Sequence, residues 1–69
     1  MIEEIKKFLQ ELEESKVFKE FKENNQLAYN SSICKIQNNL QIDFYDPNKD
    51  MITSFTKKDN EIILQESEV

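Results

Sequence analysis

The spacing of apolar residues changes near residue 25 and divides the chain into a helical part and a strand-forming part. Residues 2–24 are rich in Glu, Lys, Leu and Phe and contain no Gly or Pro, which favours a helix. In the rest of the chain apolar residues recur at every second position, which is typical of strands with one buried face. The pattern predicts an α+β domain in which a helical segment precedes an antiparallel sheet.

The helical segment is predicted to break near Ser15. At about 100° per residue, the apolar residues up to Leu12 form one stripe, and the next three lie on roughly the opposite side. One straight helix cannot bury both stripes against one surface, and Ser is a favoured N-cap. We therefore expect helices at 2–14 and 16–24; the alternative is a continuous helix whose far side contacts a second surface. The far stripe consists of Val17, Phe18 and Phe21.

Four strands follow, with turns that the sequence also indicates. Asn38-Asn39 is predicted to be a two-residue hairpin turn, because Asn tolerates positive φ. Residues 57–60 are polar and are predicted to form a loop, and the final "ESEV" is predicted to be a frayed tail. Residues 1–69 would then be a single small αββββ domain, a meander with the helical segment on one face. The strands are expected at residues 31–37, 40–45, 51–56 and 61–65.

The alternation within the strands predicts which side chains face the helices. In the third strand Ile52 and Phe55 differ in parity, which predicts a bulge or a late strand start. Cys34 is interpreted as a small buried hydrophobe on the inner side, since there is no His to act as its base and no second Cys for a disulfide. In the second strand the residues expected to face the helix are Leu40, Ile42 and Phe44.

The stretch "DPNKD" resembles both a calcium loop and a hairpin turn. Its oxygen-bearing side chains match the first, third and fifth positions of an EF-hand loop. However, Met51 stands where that loop needs Gly, and Lys57 stands where it needs a bidentate Glu. A type I turn accounts for every residue, because Asp46 suits its first position and Pro47 presets φ at its second. We therefore predict a hairpin and no metal site.

The composition excludes several classes of function. The chain has no His, Arg, Trp or Gly, so it lacks the usual general base near neutral pH, the bidentate phosphate clamp and the Gly-rich phosphate loops. A net charge of −5 disfavours nucleic-acid binding and favours a partner with a basic surface. The sequence has no run that is apolar enough for a membrane span. We expect a cytoplasmic, non-enzymatic protein without cofactors.

Two apolar groups exceed what a small core requires and are the candidate partner-binding residues. The far stripe of the helical segment is either bent into the core or exposed for a partner. Three consecutive apolar residues in the last strand place one side chain on the wrong face, and an edge strand of this kind is a template for pairing with another chain. The candidates are Val17, Phe18, Phe21, Ile62, Ile63 and Leu64.

The runs "FKEFKENNQLAYNSS" and "LQIDFYDPNKDMITSF", within residues 18–55, resemble small PepSY-like prokaryotic proteins. The resemblance implies a helix followed by a meander, with an aromatic strand that leads into an Asp-Pro turn and an "IT-x-F" strand. It also implies regulation or inhibition of partner enzymes, including peptidases, without catalysis. The family has no catalytic motif, so no site residue is transferred.

The sequence therefore leads to three functional hypotheses. The first is a small acidic protein-binding module that inhibits or regulates a larger enzyme. The second, within the same class, is a phage counter-defence factor of the anti-CRISPR kind whose carboxylates imitate DNA phosphates. The third is a structural homo-oligomer, such as a dimer joined through edge strands or swapped helices.

Overall fold

The chain folds as two helices followed by a four-stranded antiparallel sheet. The computed structural model describes residues 2–69. The strands lie side by side in chain order, and each is antiparallel to the next. The predicted α+β arrangement, with the helical segment first and a four-stranded meander after it, is confirmed. The elements are α1 Ile2–Glu14, α2 Lys16–Asn24, β1 Tyr29–Ile36, β2 Asn39–Asp46, β3 Met51–Lys58 and β4 Glu61–Glu68.

The helix breaks at Ser15, as the phase of the apolar residues predicts. Ser15 is extended, with φ −75° and ψ 144°, and its Oγ accepts the Phe18 N–H at 3.2 Å. The same Oγ donates to the Leu12 carbonyl at 2.6 Å. Leu12 and Phe21 are nine positions apart and would lie on opposite sides of a straight helix at about 100° per residue. Both are buried in one core, so the break at Ser15 is what brings them together.

The core lies between the helices and the two central strands. Four phenylalanines, two from α2 and one each from β2 and β3, form an aromatic cluster in which all ring centroids lie 5.2–6.0 Å apart. These tilted and edge-to-face contacts are worth about 0.5–1.5 kcal/mol per pair beyond the area that they bury. The buried core residues are Phe8, Leu12, Phe21, Ala28, Leu40, Ile42, Phe44 and Phe55.

The sheet has an inner face, which packs against the helices, and an outer face, which no other element of residues 2–69 covers. Side chains of directly paired residues lie on the same face. The predicted inward orientation of Leu40, Ile42 and Phe44 is confirmed, because all three are buried. Their partners on β3 and β4 include Phe55 and Leu64, which therefore lie on the inner face as well.

The prediction for Cys34 is wrong. Cys34 pairs with Gln41 and lies half-buried on the outer face, whereas Ile33 pairs with the buried Ile42 and takes the inner position. The physical reason is that the register with β2 decides the face. Along β1 itself the two faces are about equally apolar, so the local pattern is ambiguous.

The third strand contains neither the predicted bulge nor a late start. β3 begins at Met51 and pairs with both neighbours in a regular register, so Ile52 simply lies on the outer face while Phe55 lies on the inner one. The irregularity is in β1 instead, between Asn30 and Ser32. A polar residue, Thr53, occupies the buried inner position that the sequence pattern left unassigned.

The strands are longer than predicted, and the turns between them are correspondingly tighter. The first hairpin turn lies at Gln37-Asn38, with φ of 50° and 67°, one residue earlier than expected. The predicted loop at 57–60 contracts to two residues. The predicted frayed tail is also wrong, because β4 pairs with β3 as far as Glu68 and the Val69 N–H donates to the Asp50 carbonyl at 3.3 Å.

The "DPNKD" stretch forms the predicted hairpin turn between β2 and β3. The Asp46 Oδ1 accepts the Asn48 N–H at 2.8 Å, and the Asp46 carbonyl accepts the Asp50 N–H at the same distance. The Asp50 Oδ1 accepts the Tyr45 hydroxyl at 2.6 Å, which raises the pKa of Tyr45. The carboxylates of this stretch therefore hold the turn in shape.

Two ion pairs connect α1 to the inner face of the sheet. Glu4 pairs with Lys35 of β1 at 3.1 Å, and Glu11 pairs with Lys57 of β3. The Lys35 ammonium, which donates a hydrogen bond to the Glu4 carboxylate, lowers the pKa of Glu4. Because Glu4 is near the start of α1 and Glu11 near its end, α1 crosses the sheet from β1 towards β3. Helix α2 then returns along the β4 side.

Candidate partner-binding groove

A groove lies between α2 and the inner face of β3 and β4. Its volume is about 290 Å³. It exists because α2 packs its phenylalanines onto β2 and β3 and leaves the inner face of β4 uncovered from Leu64 onwards. The groove is lined by Val17, Glu20, Phe21, Asn24, Asn25, Lys49, Met51, Thr53, Leu64 and Glu66.

The apolar part of the groove comes from residues that are far apart in sequence. Phe21 is 7% exposed and forms the wall next to the core. Val17 lies one turn earlier on α2 and is 40% exposed, and Leu64 of β4 is 36% exposed. The Ser15 break sets the rotation of α2, so the same cap that buries Phe21 also places Val17 in the groove. The result is a small apolar surface beside the fold's own core.

One end of the groove is shaped by polar contacts at the end of α2. The Lys49 ammonium donates to the Asn24 carbonyl at 2.9 Å, and the Asn25 amide donates to the Phe21 carbonyl at 2.8 Å. The Asn24 amide donates to the Glu20 carbonyl at 3.0 Å. These donors satisfy carbonyls that the helix itself leaves unpaired, and a cation is favourable at this end of the helix dipole. The contacts connect the β2–β3 turn to α2.

The other walls of the groove carry negative charge. Glu20 of α2 forms a long, exposed ion pair with Lys16, in which the nitrogen and oxygen are 3.9 Å apart. Within residues 2–69, Glu66 of β4 has no ion-pair partner. Strand β4 also carries Glu61 and Glu68 and contains no Lys. The part of β4 that borders the groove therefore carries two inward-facing glutamates, Glu66 and Glu68.

Strand β4 is also the more regular edge of the sheet. It pairs with β3 without any shift of register from residue 61 to residue 68, and its other edge has no partner strand within the described chain. The opposite edge, β1, is interrupted by the bulge next to Asn30, whose amide donates to the Asp43 carbonyl at 2.9 Å. Bulges make an edge a poor template for further pairing, whereas a long regular edge is a good one.

The structure separates the six predicted partner-binding residues into three environments. Phe18 and Phe21 pack in the aromatic core, which is the core alternative for the far stripe, although Phe21 also borders the groove. Val17 and Leu64 lie together in the groove. Ile62 packs against the core, and Ile63, which is 42% exposed, lies on the outer face. A partner-binding role stays a prediction for all six.

Sequence reasoning missed the remaining groove residues, in particular Met51, Thr53 and Glu66. Met51 and Thr53 share the inner face with Phe55 because they have the same parity, and this signal was present in the sequence. Glu66 was assigned to a tail that the structure shows to be strand. The meeting of α2 with β4 has no local signal, because it depends on the angle at which α2 crosses the sheet.

Other candidate chemistry is not assembled in the described chain. Within residues 2–69, His, Cys, Asp and Glu side chains do not form a group of three that would hold a metal ion. Neither of the two helices in this range combines the length and the apolar character that crossing a membrane requires. The groove and the uncovered face of the sheet are therefore the candidate binding surfaces of the described residues.

Known proteins do not identify the occupant of this groove. The resemblance of residues 18–55 to PepSY-like proteins stays a prediction, and so does the regulatory role that it implies. No protein-family model, curated protein or solved structure matches the chain.

Proposed function

We propose that this chain is a non-catalytic protein-binding module that inhibits or regulates a larger partner. It does so by taking up an extended, basic segment of that partner along β4 and in the groove. The observation that carries the proposal is the position of an apolar, acidic groove directly beside the regular, unpaired edge of a strand. The two features together form a site for an added strand.

An incoming extended segment would pair with the free edge of β4 through main-chain hydrogen bonds. In this mode of recognition the backbone supplies affinity and the alternate side chains supply specificity. Alternate side chains of the added strand lie on the inner side, next to Leu64 and Glu66. A long apolar side chain at such a position reaches over β4 and covers Val17 and Leu64.

Charge selects the class of segment. Glu66 and Glu68, which share the inner face of β4 with Leu64, and Glu20 of α2 repel an acidic segment and attract Lys or Arg. The one lysine among the groove residues, Lys49, donates to the Asn24 carbonyl at one end of the groove, and its single charge is outnumbered by Glu20 and Glu66. The preferred ligand is therefore an extended segment with an apolar residue at one inward-facing position and Lys or Arg at the next inward-facing position, two residues along, and its binding weakens as salt rises.

A binding role is consistent with the chemistry of the groove residues. They offer apolar side chains, amides, one threonine, one lysine and two glutamates, and the chain has no His. A segment held along β4 is withheld from its own protein, which is the simplest way for a module of this size to regulate or inhibit a partner.

The proposal is tested by selecting ligands from a library of displayed random peptides, with the full chain as bait. Enriched peptides should carry an apolar residue and Lys or Arg two residues apart, at positions that face the same side of a strand. Their affinity, measured by fluorescence anisotropy, should fall as the salt concentration is raised. Substitution of Leu64 by Lys should weaken binding by about tenfold or more, because it replaces apolar contact area with a cation that repels the ligand.

The adjacent residue provides the matched control. Substitution of Ile63 by Lys adds the same charge to the same strand but on the outer face, so peptide binding should change by less than about twofold. Thermal melts of both variants check that they fold. Enrichment of acidic peptides, failure to enrich any peptide, or equal losses in the two variants would each contradict the proposal.

A further inference from the structure

The uncovered outer face of the sheet is a second surface, independent of the groove. The pairing of the strands arranges twelve of its side chains in three rows of four that cross β1, β2, β3 and β4 in order. The first row is Cys34, Gln41, Thr56 and Ile63. The second is Ser32, Asp43, Ser54 and Gln65, and the third is Tyr29, Tyr45, Ile52 and Ser67.

These rows are almost free of charge in a protein that is otherwise highly charged. One third of the chain is Asp, Glu, Lys or Arg, yet Asp43 is the only charged residue among the twelve. Asp43 is itself engaged, since its Oδ1 accepts the Gln41 amide at 3.0 Å. Depletion of charge together with enrichment of Tyr is the compositional mark of the centre of a protein interface.

The apolar groups of this face lie at both ends and along the β4 side. Tyr29 and Tyr45 stack edge to face with centroids 5.8 Å apart, and Tyr29 is 54% exposed. Ile52 follows in the same row, and Ile63, 42% exposed, stands at the end of the first row. Flat aromatic and branched side chains between short polar ones form a surface that a second sheet can cover at a spacing of about 10 Å.

Charge indicates what covers this face. A basic partner is attracted to the acidic helix α1 and to the glutamates of β4, whereas these neutral rows do not attract it. A second copy of the chain presents the same neutral rows, so two copies can meet here with their net charges of −5 directed away from the contact. A two-fold axis that lies in the plane of the contact, parallel to both sheets, makes such a contact self-complementary.

The area is sufficient for a weak, reversible dimer. Four strands of eight residues, at about 4.8 Å between strands and about 3.3 Å per residue, form a face of roughly 500 Å². This area includes, beyond the three rows, the outer-face pairs Ile36–Asn39 and Lys58–Glu61, in which the one cation and the one anion balance. Two copies therefore cover roughly 1,000 Å², the lower end of specific protein interfaces. We infer that the outer face is a self-association surface through which two copies pack sheet to sheet, leaving both grooves free.

Sedimentation velocity of the full chain over a range of concentrations, in reducing buffer, tests this inference. We expect a monomer–dimer equilibrium that tightens as salt rises, because salt screens the repulsion between two acidic chains. This is the opposite of the salt dependence proposed for the groove. Alkylation of Cys34, which lies in the first row, should slow as the protein concentration increases.

Two neighbouring substitutions locate the contact. Ile63→Lys places like charges in the interface and should raise the dimer dissociation constant about tenfold or more, whereas Leu64→Lys, on the inner face, should change it by less than about twofold. If Ile63→Lys does not fold, Thr56→Lys makes the same test in the middle of the first row. A chain that stays monomeric at every concentration overturns the inference. The reverse pattern of the two variants also overturns it and assigns the contact to the β4 edge.

Discussion

Replacing Ser15 by Ala removes the side chain on which the geometry of the helical layer depends. In the folded chain its Oγ accepts the Phe18 N–H at 3.2 Å, and without it this amide has no side-chain acceptor. The Leu12 carbonyl is less affected, because it also accepts the Ser15 N–H at 3.0 Å. The loss is therefore that of one N-cap, about 1 kcal/mol, and it should lower the melting temperature by about 4–8 °C in a domain of this size.

The better helix propensity of Ala does not compensate for this loss. A continuous helix through residue 15 would direct Phe21 away from the core that contains Leu12, so the break has to persist without its cap. The assay is urea unfolding followed by circular dichroism, with Ser15→Thr as the control that retains both the acceptor and the donor. If Ser15→Ala is as stable as the parent chain, or if Ser15→Thr loses as much as Ser15→Ala, the capping account is refuted.

Three further predictions concern the core, the first turn and the second turn. Phe21→Ala should cost about 3–5 kcal/mol, which is comparable to the whole stability of so small a domain, so circular dichroism should show a largely unfolded chain; cooperative unfolding near the parent midpoint would contradict this. Gln37→Asn should raise the free energy of unfolding in urea by about 0.5 kcal/mol, because Asn tolerates the observed φ of 50° better; an unchanged or lower value would contradict the turn assignment. The hydrogen bond to Asp50 raises the pKa of Tyr45 above its ordinary 10.0, so its stabilising effect is present below that pH and is lost as pH rises through the raised pKa. In a Tyr29→Phe chain, where Tyr45 is the only tyrosine, Asp50→Asn should make the phenol titrate at lower pH by absorbance, and an unshifted titration would contradict the bond.

The helical layer was predictable because its signals are local. The reversal of the apolar stripe between Leu12 and Val17 is a geometric conflict that only a break resolves, and Ser15 is the residue type that caps a new helix. The alternation in β2 was equally clear, since a buried apolar residue follows each half-buried polar one. Propensity, capping and burial all favour the same structure in these segments.

The first and last strands were less predictable because their pattern is ambiguous or overridden. In β1 both Ile33 and Cys34 are apolar, so only the register with β2 decides which of them faces the helices. The last residues of β4 are polar and were expected to fray, yet pairing with β3 extends the strand to Glu68. Pairing with a neighbouring strand therefore decides which face of β1 is buried and how far β4 extends, and local composition indicates neither.

Individual residues of the candidate groove were predictable from the sequence, but the groove that they form together was not. Val17 and Leu64 stood out as surplus apolar residues, but nothing in their neighbourhoods indicates that they meet. Their meeting follows from the direction of α2 across the sheet. Alternation already predicted that one of the three apolar residues of the last strand lies on the wrong face, and the register with β3 shows that it is Ile63, which therefore has a different proposed role from Leu64.

The most direct test of the proposed function is residue-resolved hydrogen exchange on β4, with and without a selected peptide that carries an apolar and a basic residue two positions apart. Strand addition predicts that the amides facing the free edge of β4, at alternate positions between Glu61 and Glu68, become protected when the peptide is bound. The amides of β1 should exchange as before. Unchanged exchange along β4, or protection of β1 instead, would contradict binding at this edge.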